Sequence, residues 1–515
     1  MDSFLNAVRS LAEIRISGLL AAVITFATLS PNALAQLMAG AAKTEITDRQ
    51  AGPVNDPSYA KALVLRDGAT TAVIVTVDAV AIGGIGRIGD TFLANVRRQL
   101  AADPGVAPHN VIVNASHCHS IVRMDTEALT VQTIRAAWRA LAPARAGGGE
   151  GWEERISENR RLAMKDGSEV DMRRAYALAG DEEVAAVGPI DPQIGILRID
   201  RADGRPLAVL YNFACHPIMN PPRMGNSADF PGFASKVVED SLGGGAIAFF
   251  VQGCAGDINP VRYKTVMHPP SAEALGNLLG LAVLRACRQI ETKPGAMLRV
   301  ASDDVALPRA TDFARRLAAL GAEQARLVEG LKPTDINFKT FLPLFVQHKL
   351  SPDFPSYYAQ GYLHDRALGR EDLAQLDATN RESLEAYLHN IATMERLTRL
   401  NANAALLRMH QAQTVAAGRP TVDTELTGIR IGDFTLVTFP GELTVTIGLG
   451  IKKRAPLPHT FVAGCTNGYL YYLPTAPQRA NLGFAQEDCD CLVAPEWQPL
   501  FEARVDALLR ELAAP

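Results

Sequence analysis

Ser116-His117-Cys118-His119-Ser120 is the stretch of this chain whose residue types could most plainly do chemistry. It follows a short apolar run, residues 111–113, that reads as the end of a buried strand. Two histidines at i and i+2 just past a strand can face one cleft, as zinc ligands and proton-transfer groups often do. A structural or surface pair is the alternative, so the rest of the chain must decide. Other polar loops also follow apolar runs of strand length. His216-Pro217 follows 207–214, and Gly253 to Pro260 follows 246–252. Pro440-Gly441-Glu442 follows 435–439, and Asn467-Gly468-Tyr469-Leu470-Tyr471-Tyr472 follows 460–464. Each is weak alone: a His before Pro, a turn carboxylate or a tyrosine cluster is commonly structural. Together they supply imidazoles, a carboxylate and phenols, a hard-to-borderline set of metal donors. In α/β sheets, ligands bind in the crevice beyond the carboxyl ends of the strands. Strands lying side by side would therefore converge these loops on one cleft. No Gly-x-Ser-x-Gly elbow occurs, which disfavours a nucleophilic serine.

The elements that must position these loops alternate between strand-like and helix-like patterns from residue 36 to about 300. Residues 72–80 are a β-branched run, whereas 91–100 and 272–290 read as helices. The expected fold class is α/β, a mixed sheet core flanked by helices. Residues 311 to 418 read as a helical insertion or lid. Phe313, Leu317, Leu320, Leu327 and Leu331 follow helical spacing after a Thr311-Asp312 cap. Leu384, Leu388, Ile391, Met394 and Leu397 predict a second amphipathic helix, with an irregular aromatic-rich stretch, 337–362, between the two. Strand patterns return from Thr421, and 497–512 predicts a final helix. The absence of repeats and low-complexity linkers favours one catalytic domain over 36–515.

Composition bounds the reading. The chain has 515 residues, is 48% hydrophobic and 21% charged, and carries a net charge of -4. It has no long Lys/Arg block, which argues against a nucleic-acid partner. Arg9 and Arg15 precede an apolar run, 18–29, and an A-x-A-type site ends at Ala35. Residues 1–35 are therefore expected to be a signal peptide cleaved after Ala35, giving a secreted or periplasmic protein. A membrane anchor is the alternative, for which the run is short. Seven cysteines remain, and their odd count leaves at least one outside any intramolecular disulfide. Cys118, Cys215, Cys254 and Cys465, beside the polar loops, are either packing residues or spare thiols.

From about Gly40 onward the chain resembles the neutral/alkaline, non-lysosomal ceramidases. The motifs run in order: Gly40 to Thr47, Val77-Asp78, His117-Cys118-His119-Ser120, Asn212-Phe213-Ala214-Cys215-His216-Pro217, Ala228-Asp229-Phe230-Pro231-Gly232, Gln252 to Pro260, Pro440-Gly441-Glu442, and Asn467 to Tyr472. The resemblance implies a zinc amidohydrolase that cleaves ceramide into sphingosine and a fatty acid. It places one zinc on His117, His216, Glu442 and Tyr472. It makes His119 a proton-transfer group, Tyr469 a neighbouring site tyrosine, and Arg160 a donor to the oxyanion or another substrate group. Asn259 stands where the family commonly has Ser, replacing a hydroxyl that bonds substrate with an amide. Cys118 takes a place usually held by Thr or a similar residue. The partners implied are ceramide or another N-acyl lipid, with transient contact at a membrane surface. A C-terminal immunoglobulin-like domain, frequent in the family, is expected to be missing. Asp229 and Asp257 could orient a ligand histidine or cap a helix or turn.

Overall fold

The computed structural model describes residues 36–171, 180–220, 224–261, 271–354, 359–481 and 485–514. The expected signal segment and its cleavage site lie outside the described residues.

The larger sheet is built from β1 (Met38–Glu45), β2 (Tyr59–Asp67), β3 (Thr70–Val77), β4 (Val111–Ala115), β5 (Ala142–Trp152), β6 (Gln193–Arg201), β7 (Pro206–Phe213) and β8 (Ile247–Gln252). Its spatial order is β8-β7-β6-β5-β1-β2-β3-β4. Most neighbours are antiparallel, but β3/β4 and β7/β8 are parallel. A smaller sheet runs β9 (Leu298–Pro308), β10 (Thr421–Ile431), β11 (Phe434–Thr438) and β12 (His459–Ala463), and β11/β12 is its parallel pair.

Burial on both faces explains the near-continuous apolar runs of β4, β7, β8 and β11. One face of each sheet packs on the other. Leu63, Leu197, Leu210 and Phe249 of the larger sheet share a core with Ile429, Phe434, Leu436 and Phe461 of the smaller. Phe461 stacks on Phe434 with ring centroids 5.5 Å apart. It fills the space beside Gly195, where a Cβ would lie 2.4 Å from its ring.

The outer faces are covered by helices. Helices α1 (Phe92–Ala102) and α2 (Thr126–Arg139) cover β1–β4. Helices α3 (Asp229–Leu242) and α4 (Ala272–Cys287) cover β6–β8. The C-terminal helix, Trp497–Ala513, covers the smaller sheet. The architecture is a helix–sheet–sheet–helix stack, the expected α/β core with its sheet divided into two layers.

The helical insertion forms between β9 and β10. Phe313–Glu329 packs through Phe313, Leu320 and Leu327 on Leu400 and Leu407 of a 46-residue helix, Asp372–Ala417. The stretch expected to be irregular contains helices Phe338–Leu350 and Ala359–Ala367. Asn337 and Thr340 form a capping box that starts the first of them, a signal that the aromatic content obscured. At a rise of about 1.5 Å per residue the long helix extends ~69 Å. Among the described residues no helix is long and apolar enough to cross a membrane. All seven cysteines are free and buried, so Cys489 and Cys491 form no bridge.

Candidate metal centre

Each predicted site loop leaves the carboxyl end of a strand in one of the three parallel pairs. Ser116 and His117 follow β4, and their N–H groups bond the Val77 and Ala79 carbonyls beyond β3. His216 follows β7, and Gly253 to Asp257 follows β8. Glu442 follows β11, and Tyr469 to Tyr472 follow β12. Two asparagines tie the smaller sheet's loop to the larger sheet. Asn114 Nδ2 donates to the Gly464 carbonyl and to Thr466 Oγ1, each at 2.8 Å. Asn467 Oδ1 accepts from the Val113 N–H at 2.8 Å. Glu442 and Tyr472 are register partners in a two-residue parallel bridge, Glu442–Leu443 against Tyr472–Leu473. Gly256 lets the β8 loop press against this bridge, since a Cβ there would sit 2.6 Å from the Glu442 carbonyl.

The backbone is bent to serve the site. His117, Cys465, Asn467 and Tyr471 all have positive φ, as does Asp229. Non-glycine residues in this region carry strain, which a well-packed surrounding must hold.

His117, His216 and Glu442 are all buried, and one donor atom from each lies within 4.8 Å of the others. His117 Nδ1 bonds the Val80 carbonyl at 2.6 Å, and His216 Nδ1 bonds the Ile258 carbonyl at 2.9 Å. Both imidazoles are thereby oriented from behind with Nε2 turned to Glu442, at 3.4 Å from His117 and 2.7 Å from His216. A carbonyl on the far nitrogen is the usual support of a metal-bound histidine. Tyr472 Oη lies 3.4 Å from His216 Nε2. Two imidazoles, a carboxylate and a phenol in one pocket fit a tetrahedral or five-coordinate cation, zinc being the common choice for such donors.

Electrostatics agree with a site built around charge. Burial opposes ionisation of Glu442, but the two histidines outweigh it and hold its pKa well below the usual carboxylate range. Burial also disfavours a charged His117, yet Glu442 and the Cys465 sulfur raise its pKa well above ordinary. His216 is pushed down to about 3 by burial and by the Arg160 guanidinium. Proximity alone would favour His216, whose contact with Glu442 is shorter. Burial first, and then the neighbouring guanidinium, act against this and leave His216 neutral and able to donate a lone pair.

His117, His119, His216, Glu442, Tyr469, Tyr472 and Arg160 line a cavity of about 200 Å³ together with the apolar Val80, Ile85 and Ile218. His119 stands at the exposed edge, its ring 5.8 Å from that of His117. The Tyr469 hydroxyl donates to Glu442 Oε1. Arg160 is buried and largely committed to the protein. Its Nε donates to Glu487 Oε1 at 2.8 Å and its Nη1 to Asn259 Oδ1 at 3.0 Å, while Nη2 bonds the Gly256 carbonyl. Its guanidinium lies 5.5 Å from the centre of the Tyr472 ring. Asn259 is fully buried beneath Arg160 and outside the residues lining the cavity. Its Nδ2 finds no protein partner.

The two aspartates left open by the sequence both serve backbone. Asp229 begins α3 and accepts from the N–H groups of Phe230 and Asn220, each at 2.7 Å. Asp257 accepts from the Val445 N–H at 2.7 Å and from Asn159 Nδ2 at 3.2 Å, leaving His216 to the Ile258 carbonyl. Sequence reasoning missed Glu487, which sits in a one-turn helix, Gln486–Cys489. Acidic residues in so short a helix carry no periodic signal, and only the fold shows that this one meets Arg160. It also left the Cys465 thiol undecided, and the structure buries it beside His117.

Solved structures match this architecture, among them two ceramidases. The neutral ceramidase from Pseudomonas aeruginosa aligns over 93% of this chain and 75% of its own, at 18% identity and a TM-score of 0.57. A ceramidase complexed with C2 aligns over 93% and 76%, at 18% identity and a TM-score of 0.58. The chain has a neutral ceramidase-like fold. No family model matches it, and no curated protein sequence does. The ceramidase likeness expected from the ordered motifs thus holds at the level of the fold.

Proposed function

We propose that this protein is a zinc-dependent amidohydrolase of N-acyl lipids, with ceramide as the leading substrate. The observation that carries the proposal is the buried His117–His216–Glu442 cluster, with each histidine braced from behind by a backbone carbonyl. Tyr472 is the fourth donor in this reading. A zinc ion held there supplies Lewis acidity and a lowered pKa for water.

The chain's own residues supply the rest. Val80, Ile85 and Ile218 give the cavity an apolar part, which strengthens the interactions of the buried polar groups beside it. His119, at the mouth, takes a proton or delivers one to the leaving amine through its imidazole nitrogen. Tyr469 Oη is placed to donate to the oxygen that becomes negative, once substrate competes with Glu442 for it. Arg160 acts through Tyr472, against whose ring its guanidinium lies, while three of its five N–H groups hold Glu487, Asn259 and the Gly256 carbonyl. Asn259 supports Arg160 in place of the family hydroxyl. Export after cleavage at Ala35 and transient membrane contact belong to the same proposal, as does one catalytic domain over 36–515.

A second reading keeps the metal and changes the substrate to another N-acyl amide or ester. Asn259 favours it, since it sits where a family hydroxyl is expected and offers the cavity no group. A fluorescent substrate panel (short-chain ceramide, N-acyl amino acid, N-acylethanolamine, acyl ester) separates the two readings. Release from ceramide well above the others supports the first. Release only from the others supports the second. A relative that binds lipid without turnover would show stoichiometric zinc and no release from any.

A further inference from the structure

Tyr469 is a wall shared by the site cavity and a second, open cleft of about 500 Å³. Ile82, Leu93 and Leu492 make part of that cleft apolar. Most of its polar side chains are already committed. Arg97 forks onto Glu425 at 2.6 and 2.7 Å and also bonds the Val111 carbonyl. The Gln413 amide spans His410 and the Tyr471 hydroxyl. Asn467 bonds Glu425 and the Val113 N–H. Asp90, on the rim, holds the Gly84 N–H at 2.7 Å.

Arg309 differs. It is half-buried and gives Nε to the Thr421 carbonyl at 3.0 Å. Among the described residues its two terminal nitrogens have no hydrogen-bond partner and no ion pair reaches it. Burial and the nearby Arg419 hold its pKa below the ordinary arginine range, against an opposing pull from Asp423, whose carboxylate is itself paired with Arg419 at 2.7 Å. A partly desolvated guanidinium presents a planar fork of donors that matches a carboxylate. Placed in a cleft that is apolar in part, it suits an amphiphile with an acidic head.

We propose that this cleft binds a carboxylate carried by an N-acyl amphiphile, and that Arg309 is the residue that selects it. The inference rests on the hydrolase reading only in treating that amphiphile as substrate. It would shift the preferred substrate from neutral ceramide toward N-acyl compounds bearing an acid.

The test is calorimetric titration of the full chain, stripped of metal by chelator, with N-dodecanoylglycine and with neutral N-dodecanoylethanolamine. The wild type should bind the acid at least about tenfold more tightly than the neutral ligand, the size expected of one charge-assisted fork. Arg309→Met should erase that preference while leaving the neutral ligand's affinity unchanged, and Arg309→Lys should keep part of it. Matching circular dichroism spectra confirm that the variants fold. Equal affinities in the wild type, no binding of either ligand, or a preference that survives Arg309→Met would each overturn the proposal. A failure of the hydrolase reading appears elsewhere, as no turnover by zinc-loaded enzyme, and leaves this binding preference in place.

Discussion

The metal centre and the helical insertion are built on opposite terms. In the centre, polar groups are buried and nearly all paired, the backbone is held in strained conformations, and loops from three parallel strand pairs lock together. In the insertion, apolar groups face solvent. Phe338, Leu342, Val346 and Leu350 repeat every four residues along one helix, and all are exposed. The first region spends folding stability to hold a geometry, and the second adds little to the core beyond the contacts around Leu407. A change in the first region should therefore be felt in chemistry and stability, and one in the outer insertion in neither.

The largest effect is expected at the donors. Glu442→Ala or His216→Ala should remove bound zinc, from one per chain to near none by elemental analysis, and with it all turnover. Stoichiometric zinc in either variant would break the assignment. Next comes the buried ion pair beneath the site. Glu487→Gln leaves Arg160 charged, buried and short of its partner, a loss of roughly 3–5 kcal/mol by denaturant unfolding. A cost under 1 kcal/mol would show that Arg160 does not depend on Glu487. Phe461→Ala, in the seam between the sheets, should cost about 3–5 kcal/mol, and a near-neutral result would refute the stacked-sheet core.

A subtler effect belongs to Asp229. Burial raises its pKa from 3.8 to about 7. The folded state therefore binds its proton more tightly than the unfolded chain does. The stability this contributes is present below pH 3.8 and is lost as pH rises toward about 7. Asp229→Asn should flatten the fall in stability across that window, measured by thermal unfolding at each pH. An unchanged slope would place the titration elsewhere. The smallest effect sharpens the contrast itself. Phe338→Ser should move stability by less than about 0.5 kcal/mol, whereas Leu407→Ala, at the base of the insertion, should cost about 2–5 kcal/mol.

Much of the site was legible because chemistry-bearing loops follow buried strands, and a buried strand announces itself as an apolar run. His117, His216, Glu442 and Tyr472 were all found this way or by the ordered motifs. The groups that orient them were not legible. The carbonyls of Val80 and Ile258 have no side-chain signature, and Glu487 lies 327 residues from the arginine it holds. The division of strands into two stacked sheets was equally hidden, because a run buried on both faces reads the same whether helix or sheet covers it. In the insertion, periodicity revealed the helices around Leu320 and Leu388. The aromatic residues of 338–350 masked a helix that Asn337 and Thr340 begin.

The central claim is that a metal held by the buried histidine–glutamate cluster drives hydrolysis of an N-acyl bond. Its most direct test is release of fatty acid from fluorescent N-acyl substrates, short-chain ceramide included, by the purified chain beginning at Gln36. The account predicts release that a chelator abolishes and zinc restores, and none from His216→Ala under either condition. Release that persists in chelator and in His216→Ala would contradict it.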